Sequence, residues 1–300
     1  MKPVIVLLFF SLIAMFIAGC SSVKTVSDQM LLMNAVSEGD KPGVSCLDEP
    51  AIKRLIDNGV DVNTPLPKWN GSTLLFIAVE ENKPDLVKFL LEKGAKTNVK
   101  DNQGYTPLWS VALRQVNNTA QQQTKSVKIA EMLLKYGADP NLGKEPPIIQ
   151  ACQIGNFELI KLLVKYGANV NISDRQNSTP LMLSVDSFQI VEFLISKGAN
   201  VNGQDNNGNT VLMSSLGGPT ERQMKIMKLL LEKGANVNAV AYPGGQERGV
   251  TILDKAYESY PGIASFLILH GAKTARELGI NSVLDEQSRR DALFLIKRNN

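Results

Sequence analysis

Along the chain, apolar residues recur at the helical spacing of three and four, in short bursts that each end in the same polar punctuation. The plainest copies are 194–202 (LISKGANVN) and 230–238 (LLEKGANVN). Each reads as the close of an amphipathic helix: a leucine-rich stripe, a lysine in the last turn where the helix dipole is negative, then a glycine in the left-handed conformation. Variants of the phrase close at Gly59, Gly94, Gly137, Gly167 and Gly271. Successive glycines lie 35, 43, 30, 31, 36 and 37 residues apart. Such a period belongs to stacked supersecondary units, each touching only its neighbours, rather than to one globular core.

Working back from each glycine predicts pairs of helices. The first pair spans 30–39 and 51–59, with the stretch 40–50, which holds Pro42, Gly43 and Pro50, as the loop between them. In the second unit Thr73 starts one helix, Pro84 stands at the tolerated start of its partner, and Leu86, Val87, Leu90 and Leu91 form the partner's apolar stripe. Second helices follow over 128–136, 158–166, 189–197, 224–233 and 262–270. First helices open at Thr106-Pro107-Leu108, where the threonine caps and the proline suits the first turn, and similarly at Pro146, Thr179, Thr210, Thr251 and, degenerately, Thr274.

With these starts and ends together, the segment GYTPLWSVAL at 104–113 resembles the opening of the ankyrin repeat, GxTPLHxAA, and the glycine phrase resembles its close, LLLxxGAxxN. The resemblance runs from Asp28 to the end. It implies an all-α ankyrin-repeat solenoid of about seven helix-turn-helix units, with β-hairpin-like fingers and a closing helical hairpin over 273–298. In that hairpin Arg289, Arg290, Lys297 and Arg298 supply a polar outer face. Three departures stand out. The family's histidine after TPL is replaced by Phe76, Trp109, Ile149, Met182, Met213 and Asp254, so its polar contacts between repeats are expected to be lost or replaced by packing. The threonine-to-glycine distance, 21 residues from Thr73 to Gly94, grows to 31 from Thr106 to Gly137; the added stretch 114–126, rich in Asn, Gln and Thr, reads as a lengthened loop. A second lengthening, 239–250, falls in a finger.

Ankyrin repeats bind partners by finger tips and by exposed positions of the first helices on the concave side. Carried over position by position, this implies a partner-binding set of Trp69, Asn70, Ser72 and Glu81, then Asn102, Gln103, Tyr105 and Arg114. Further along it picks out Gln153, Arg175, Gln176, Asn206, Asn207, Arg248 and Tyr260. Trp109, at the former histidine position, is assigned to packing between repeats.

The N-terminus changes the picture. Lys2 precedes an apolar run over 4–17 broken only by Ser11, too short for a membrane span and of the right length for a secretory signal. The sequence Ile17-Ala18-Gly19-Cys20 resembles the lipobox of bacterial lipoproteins; the alternative is an ordinary signal peptide that ends near a cysteine. The lipobox implies a signal peptide over 1–19, acylation of Cys20 (a palmitate-type anchor), a lipidated tether over 20–28 and the repeat domain over 29–300. Ser21 and Ser22, in place of an aspartate that retains lipoproteins in the inner membrane, favour the outer membrane, facing the periplasm. Fully extended, the eight residues 21–28 reach at most about 28 Å. Cys46 and Cys152 fall in the first and fourth repeats, about 25 to 30 Å apart in a regular stack, whereas a disulfide needs Cα atoms within about 7 Å. Cys152 is read as a small buried residue.

A net charge of +3 on 32 basic and 29 acidic residues, with no dense basic block, argues against nucleic acid. Catalytic chemistry finds little purchase. His270 stands at the end of a helix, where it reads as a polar cap, and no nucleophile elbow, CxxC pair or HExxH run accompanies it. The loops 101–104 and 203–208 are too short for a calcium loop and read as turns in which Asp101, Asp174 and Asp205 bond local backbone amides. Gly244-Gly245 lacks the residues of a phosphate cradle and reads as a flexible finger. No cofactor, metal or enzymatic activity is expected. The chain is expected to act as a monomer that binds another protein. One reading is an immunity protein that neutralises a toxic antibacterial effector such as a lipase; the other is a scaffold or chaperone for a resident periplasmic enzyme.

Overall fold

The computed structural model describes residues 21–36, 47–113, 120–217, 221–245 and 248–281. Cys20, Cys46, Arg114 and the 282–298 part of the expected closing hairpin lie outside them. The chain divides into two units, Met1–Pro147 and Ile148–Asn300. Among the described residues the regular elements are helices, with isolated antiparallel bridges at fingers and one, Val36 with Leu47, between the first two helices.

The first unit holds α1 (Ser21–Ala35), α2 (Glu49–Asp57), a 3-10 turn (Pro67–Trp69), α3 (Leu74–Glu80), α4 (Pro84–Glu92), α5 (Pro107–Leu113) and α6 (Ala120–Lys135). Helices pair as α1 with α2, α3 with α4 and α5 with α6. The pairs then stack, α3 on α5 and α4 on α6, which makes two helical layers. The core lies between the layers: Leu74, Leu75, Leu86, Val87, Leu90, Leu108 and Leu133 are buried almost completely. The predicted stripe of α4 is thus the buried one, because residues three and four apart share a helix face. Thr106 caps α5 as read, through the Trp109 N–H at 3.3 Å, and Asp48, inside the expected loop 40–50, caps α2 through the Ala51 N–H at 3.0 Å. Thr73 makes no side-chain cap, and its buried hydroxyl finds no partner.

Two segments differ from expectation. Residues 21–28, expected as a tether outside the repeats, form the first half of α1; there the buried Asp28 carboxylate accepts the Asp61 N–H at 3.4 Å and Gln29 donates to the Pro65 carbonyl at 3.1 Å. These contacts with the end of the first repeat make them part of the fold. The lengthened loop is also partly helical, because α6 begins at Ala120, eight residues before the predicted start. Alanine and glutamine are good helix formers, so the turn that packs from Ser126 onward extends backward through them.

The second unit holds α7 (Pro147–Gln153, whose first residue marks the division), α8 (Phe157–Lys165), a 3-10 turn (Met182–Ser184), α9 (Phe188–Ser196), α10 (Val211–Ser214), α11 (Glu221–Glu232), a second 3-10 turn (Pro243–Gly245), α12 (Ile252–Ser259) and α13 (Pro261–Leu269). Its core is Leu159, Ile160, Leu163, Ile190, Val191, Leu194, Ile226, Leu230, Ile263 and Leu267. After Thr179 the expected first helix shrinks to one 3-10 turn. Thr179 and Gly198 are 19 residues apart against 21 in the second repeat, and the tighter winding spans the gap with fewer residues. The closing glycines have φ between 81° and 91° in both units, as the left-handed helix end requires.

Asp254 departs from the expectation that the family's polar contact is lost. Its carboxylate Oδ2 accepts the Thr251 N–H and hydroxyl, closing a capping box, and also the Ala275 N–H of the following segment at 2.9 Å. Here a buried aspartate carries the link from one repeat to the next.

Candidate interaction surface of the fingers

Three of the fingers are hairpins each shaped by one aspartate. Asp101 Oδ1 accepts the Gln103 and Tyr105 N–H groups, both at 2.9 Å; Asp174 Oδ1 accepts those of Gln176 and Ser178; Asp205 Oδ1 accepts those of Asn207 and Asn209. These are the local turns read from the sequence. Neighbouring fingers are then stitched by backbone bonds. In the first unit Asn102 N–H donates to the Asn70 carbonyl (2.8 Å) and Lys144 N–H to that of Gly104 (2.8 Å). In the second unit Asn206 N–H donates to Gln176 (2.9 Å) and Tyr242 N–H to Asn207 (2.7 Å). The tips are therefore held rigidly before any partner arrives.

The residues expected to bind a partner divide by how they are used. Gln153, Arg175, Gln176, Asn102, Gln103, Asn206, Asn207 and Arg248 are exposed; Trp69, Asn70, Glu81, Tyr105 and Tyr260 are half-buried. Ser72 is not a surface residue: it is buried, and its carbonyl accepts the Leu66 N–H across the finger. Several amides are also committed to the scaffold. Asn70 Nδ2 donates to Asp101 Oδ2 (3.3 Å), Asn206 Nδ2 to the Arg175 carbonyl (3.0 Å), and Asn207 Oδ1 accepts the Gly244 N–H (3.2 Å). Trp109 lays its half-buried indole on Tyr105 of its own repeat, with ring centroids 3.8 Å apart and 21° between planes. Lys144 Nζ stands 5.0 Å from the centroid of the Tyr105 ring. This cluster escaped the sequence reading because Lys144 arrives from the next finger, 39 residues on.

A second set of residues was also missed. The asparagine four residues after a closing glycine reaches to the following repeat and makes two bonds there. Asn98 Nδ2 donates to the Gly137 carbonyl (2.9 Å) while its Oδ1 accepts the Asp139 N–H (2.8 Å). Asn63 does the same with Gly94 and Lys96, Asn171 with Gly198 and Asn200, Asn202 with Gly234 and Asn236, and Asn238 with Gly271 and Lys273. The signal was in the sequence, as an asparagine at the same offset after Gly59, Gly94, Gly137, Gly167, Gly198 and Gly234.

His270 caps α13, its Nδ1 lying 2.8 Å from the Phe266 carbonyl. Among the described residues no three His, Cys, Asp or Glu side chains come together as a metal site, and no helix is long and apolar enough to cross a membrane. Cys152 is a buried free thiol whose pKa is pushed up to about 12 by burial, opposed by a hydrogen bond from Ser184.

A family model described as Ankyrin repeats (3 copies) matches residues 32–144, 118–205, 148–241 and 187–277. Among known proteins the chain is similar to the phosphocholine transferase AnkX of Legionella pneumophila, with 28% identity over 148 residues, 49% of this chain and 15% of that protein. It is similar to an ankyrin repeat protein of Rickettsia felis, with 35% identity over 121 residues, 38% of this chain and 51% of that one. A third, the ankyrin repeat protein FPV222 of fowlpox virus, shares 30% over 141 residues, 47% of this chain and 17% of its own length. The chain thus spans about half the length of one of these relatives and under a fifth of the other two.

Proposed function

The chain belongs to the ankyrin-repeat family, a protein–protein interaction module, and from that premise we propose that it is an envelope-anchored immunity protein that binds and neutralises a toxic effector in the periplasm. The carrying observation is that fingers are stitched to one another within each unit, with Trp69 and Tyr105 on those of the first and Arg175 and Arg248 on those of the second. Aromatic and arginine side chains on a preformed surface bind with little ordering cost, and such residues most often anchor interfaces. Acylation of Cys20 would station the module at the outer membrane, where an incoming lipase or similar enzyme does its damage. It acts by contact rather than by chemistry: His270 is committed to a helix cap and the Cys152 thiol is buried and protonated. Phosphocholine transfer is not carried over from AnkX, of which the match reaches only 15%.

The test is to co-express a candidate lipase effector with wild-type and variant chains directed to the periplasm, measuring survival and complex formation together. Protection is expected at one-to-one stoichiometry. Trp69→Ala with Tyr105→Ala should weaken binding by roughly 2 to 4 kcal/mol, and His270→Ala should change neither binding nor protection. Protection at strongly substoichiometric amounts would point to catalysis and end the proposal. A tight complex with a resident periplasmic enzyme instead would make the chain a scaffold.

A further inference from the structure

We propose that the finger edge of the first unit docks an acidic segment of the partner protein, with Tyr105, Trp109 and Lys144 as its anchor. This rests on the protein-binding reading above and names the chemistry of the partner.

Four carboxylates on the described helices of the first unit are paired with lysines: Asp57 with Lys93 at 2.8 Å, Glu131 with Lys135 at 2.8 Å, Glu49 with Lys83 at 3.4 Å and Glu92 with Lys88 at 3.8 Å. The fingers differ. Asp101 is folded inward, its Oδ1 on two backbone N–H groups and its Oδ2 on Asn70, and Glu145 is half-buried. Lys68, Lys100 and Lys144 stand exposed, one from each of three successive fingers, and Lys96 is exposed as well; the exposed Asp61 and Asp139 each hold Oδ1 on a backbone N–H, of Asn63 and Asn141, so the fingers carry an excess of positive charge.

The anchor adds apolar area to that charge. Tyr105 and Trp109 stack at 3.8 Å and stay half-exposed, and Lys144 Nζ is held 5.0 Å from the Tyr105 centroid. An ammonium positioned over an aromatic face loses part of its hydration, so a carboxylate meeting it there gains more than it would from a lysine in bulk water. The flanking rings offer the amphipathic surface that a protein segment with interleaved apolar residues can cover. The exposed cations of the described fingers are lysines spread over three hairpins, which suits an extended acidic segment better than a single phosphate.

The probes are three: a 20-residue peptide of alternating Glu/Asp and Phe/Leu, its charge-reversed Lys/Arg counterpart, and phosphatidylcholine vesicles containing phosphatidylglycerol. Each is titrated against the full chain in detergent, with thermal melts confirming that every variant is folded. The acidic peptide should bind, with Kd rising roughly tenfold between low and moderate salt as screening lengths shorten. Lys100→Glu with Lys144→Glu should weaken it by a further tenfold or more, and Trp109→Ala by a similar factor. Lys228→Glu with Lys233→Glu, which changes net charge equally on α11 and at the residue that follows it, should leave it unchanged. Equal binding of the reversed peptide, binding to the vesicles alone, or indifference to the finger reversals would overturn the inference. A partner complex that forms but ignores both salt and these reversals would also overturn it while leaving the protein-binding role intact. Peptide binding without any protein complex would instead remove the immunity reading and keep the acidic surface.

Discussion

Asn98 shows how much one side chain does in this molecule: its amide donates to Gly137 and accepts from Asp139, 39 and 41 residues away. Asn98→Ala removes both bonds and leaves their partners to water, so it should cost about 1 to 2 kcal/mol in urea unfolding, with little change in helix content. Cys152 makes the opposite case, a polar atom whose silence is structural. Burial raises its pKa to about 12 from 9.0, so the folded chain favours the neutral thiol. That preference is fully present below pH 9.0, the unfolded value, and is lost as pH rises toward about 12. Two measurements check this. The native thiol should resist iodoacetamide at pH 8 and react once urea exposes it. Relative to Cys152→Ala, the wild type should also lose stability above pH 9.0, by up to about 1.4 kcal/mol per pH unit.

At the scale of elements, each helix pair depends on the glycine that turns the chain back. Gly198 and Gly234 have φ of 87° and 85°, and a Cβ placed on either meets nothing within 4 Å. The penalty for a side chain there is therefore conformational and not steric. Gly198→Val and Gly234→Val should each lower stability by about 1 to 3 kcal/mol in thermal melts, whereas Gly198→Asn should cost clearly less because asparagine tolerates the left-handed region. Equal losses for valine and asparagine would contradict that origin. The capping signals read at threonines hold less uniformly. Thr106, Thr210 and Thr251 accept the expected N–H groups, while Thr73 does not, although its helix forms. Packing of Leu74 and Leu75 on their neighbours is sufficient there.

For the whole molecule, the proposed attachment is the property to test first. A thioether-linked lipid forms only on a cysteine, and acyl chains dominate membrane retention. Cys20→Ser should move the protein from the membrane pellet to the soluble fraction; salt-resistant pelleting of the variant would sink the lipoprotein reading. The repeat architecture itself was legible in the chain because ankyrin units contact only sequence neighbours: period, stripe and closing glycine are local, so the sequence alone determined the helix pairs, the buried faces of Leu86 to Leu91 and the Asp101, Asp174 and Asp205 turns. What only the tertiary structure decided depends on how side chains pack, within a repeat as well as across repeats. Trp109 turned to Tyr105 beneath a lysine from the next finger, Ser72 went inside, α1 took in the expected tether through Asp28 and Gln29, and Asp254 bonded Ala275 21 residues on. The repeat period does not mark such meetings, because their partners are set by the packing of side chains and not by the spacing of the stripe and the closing glycine.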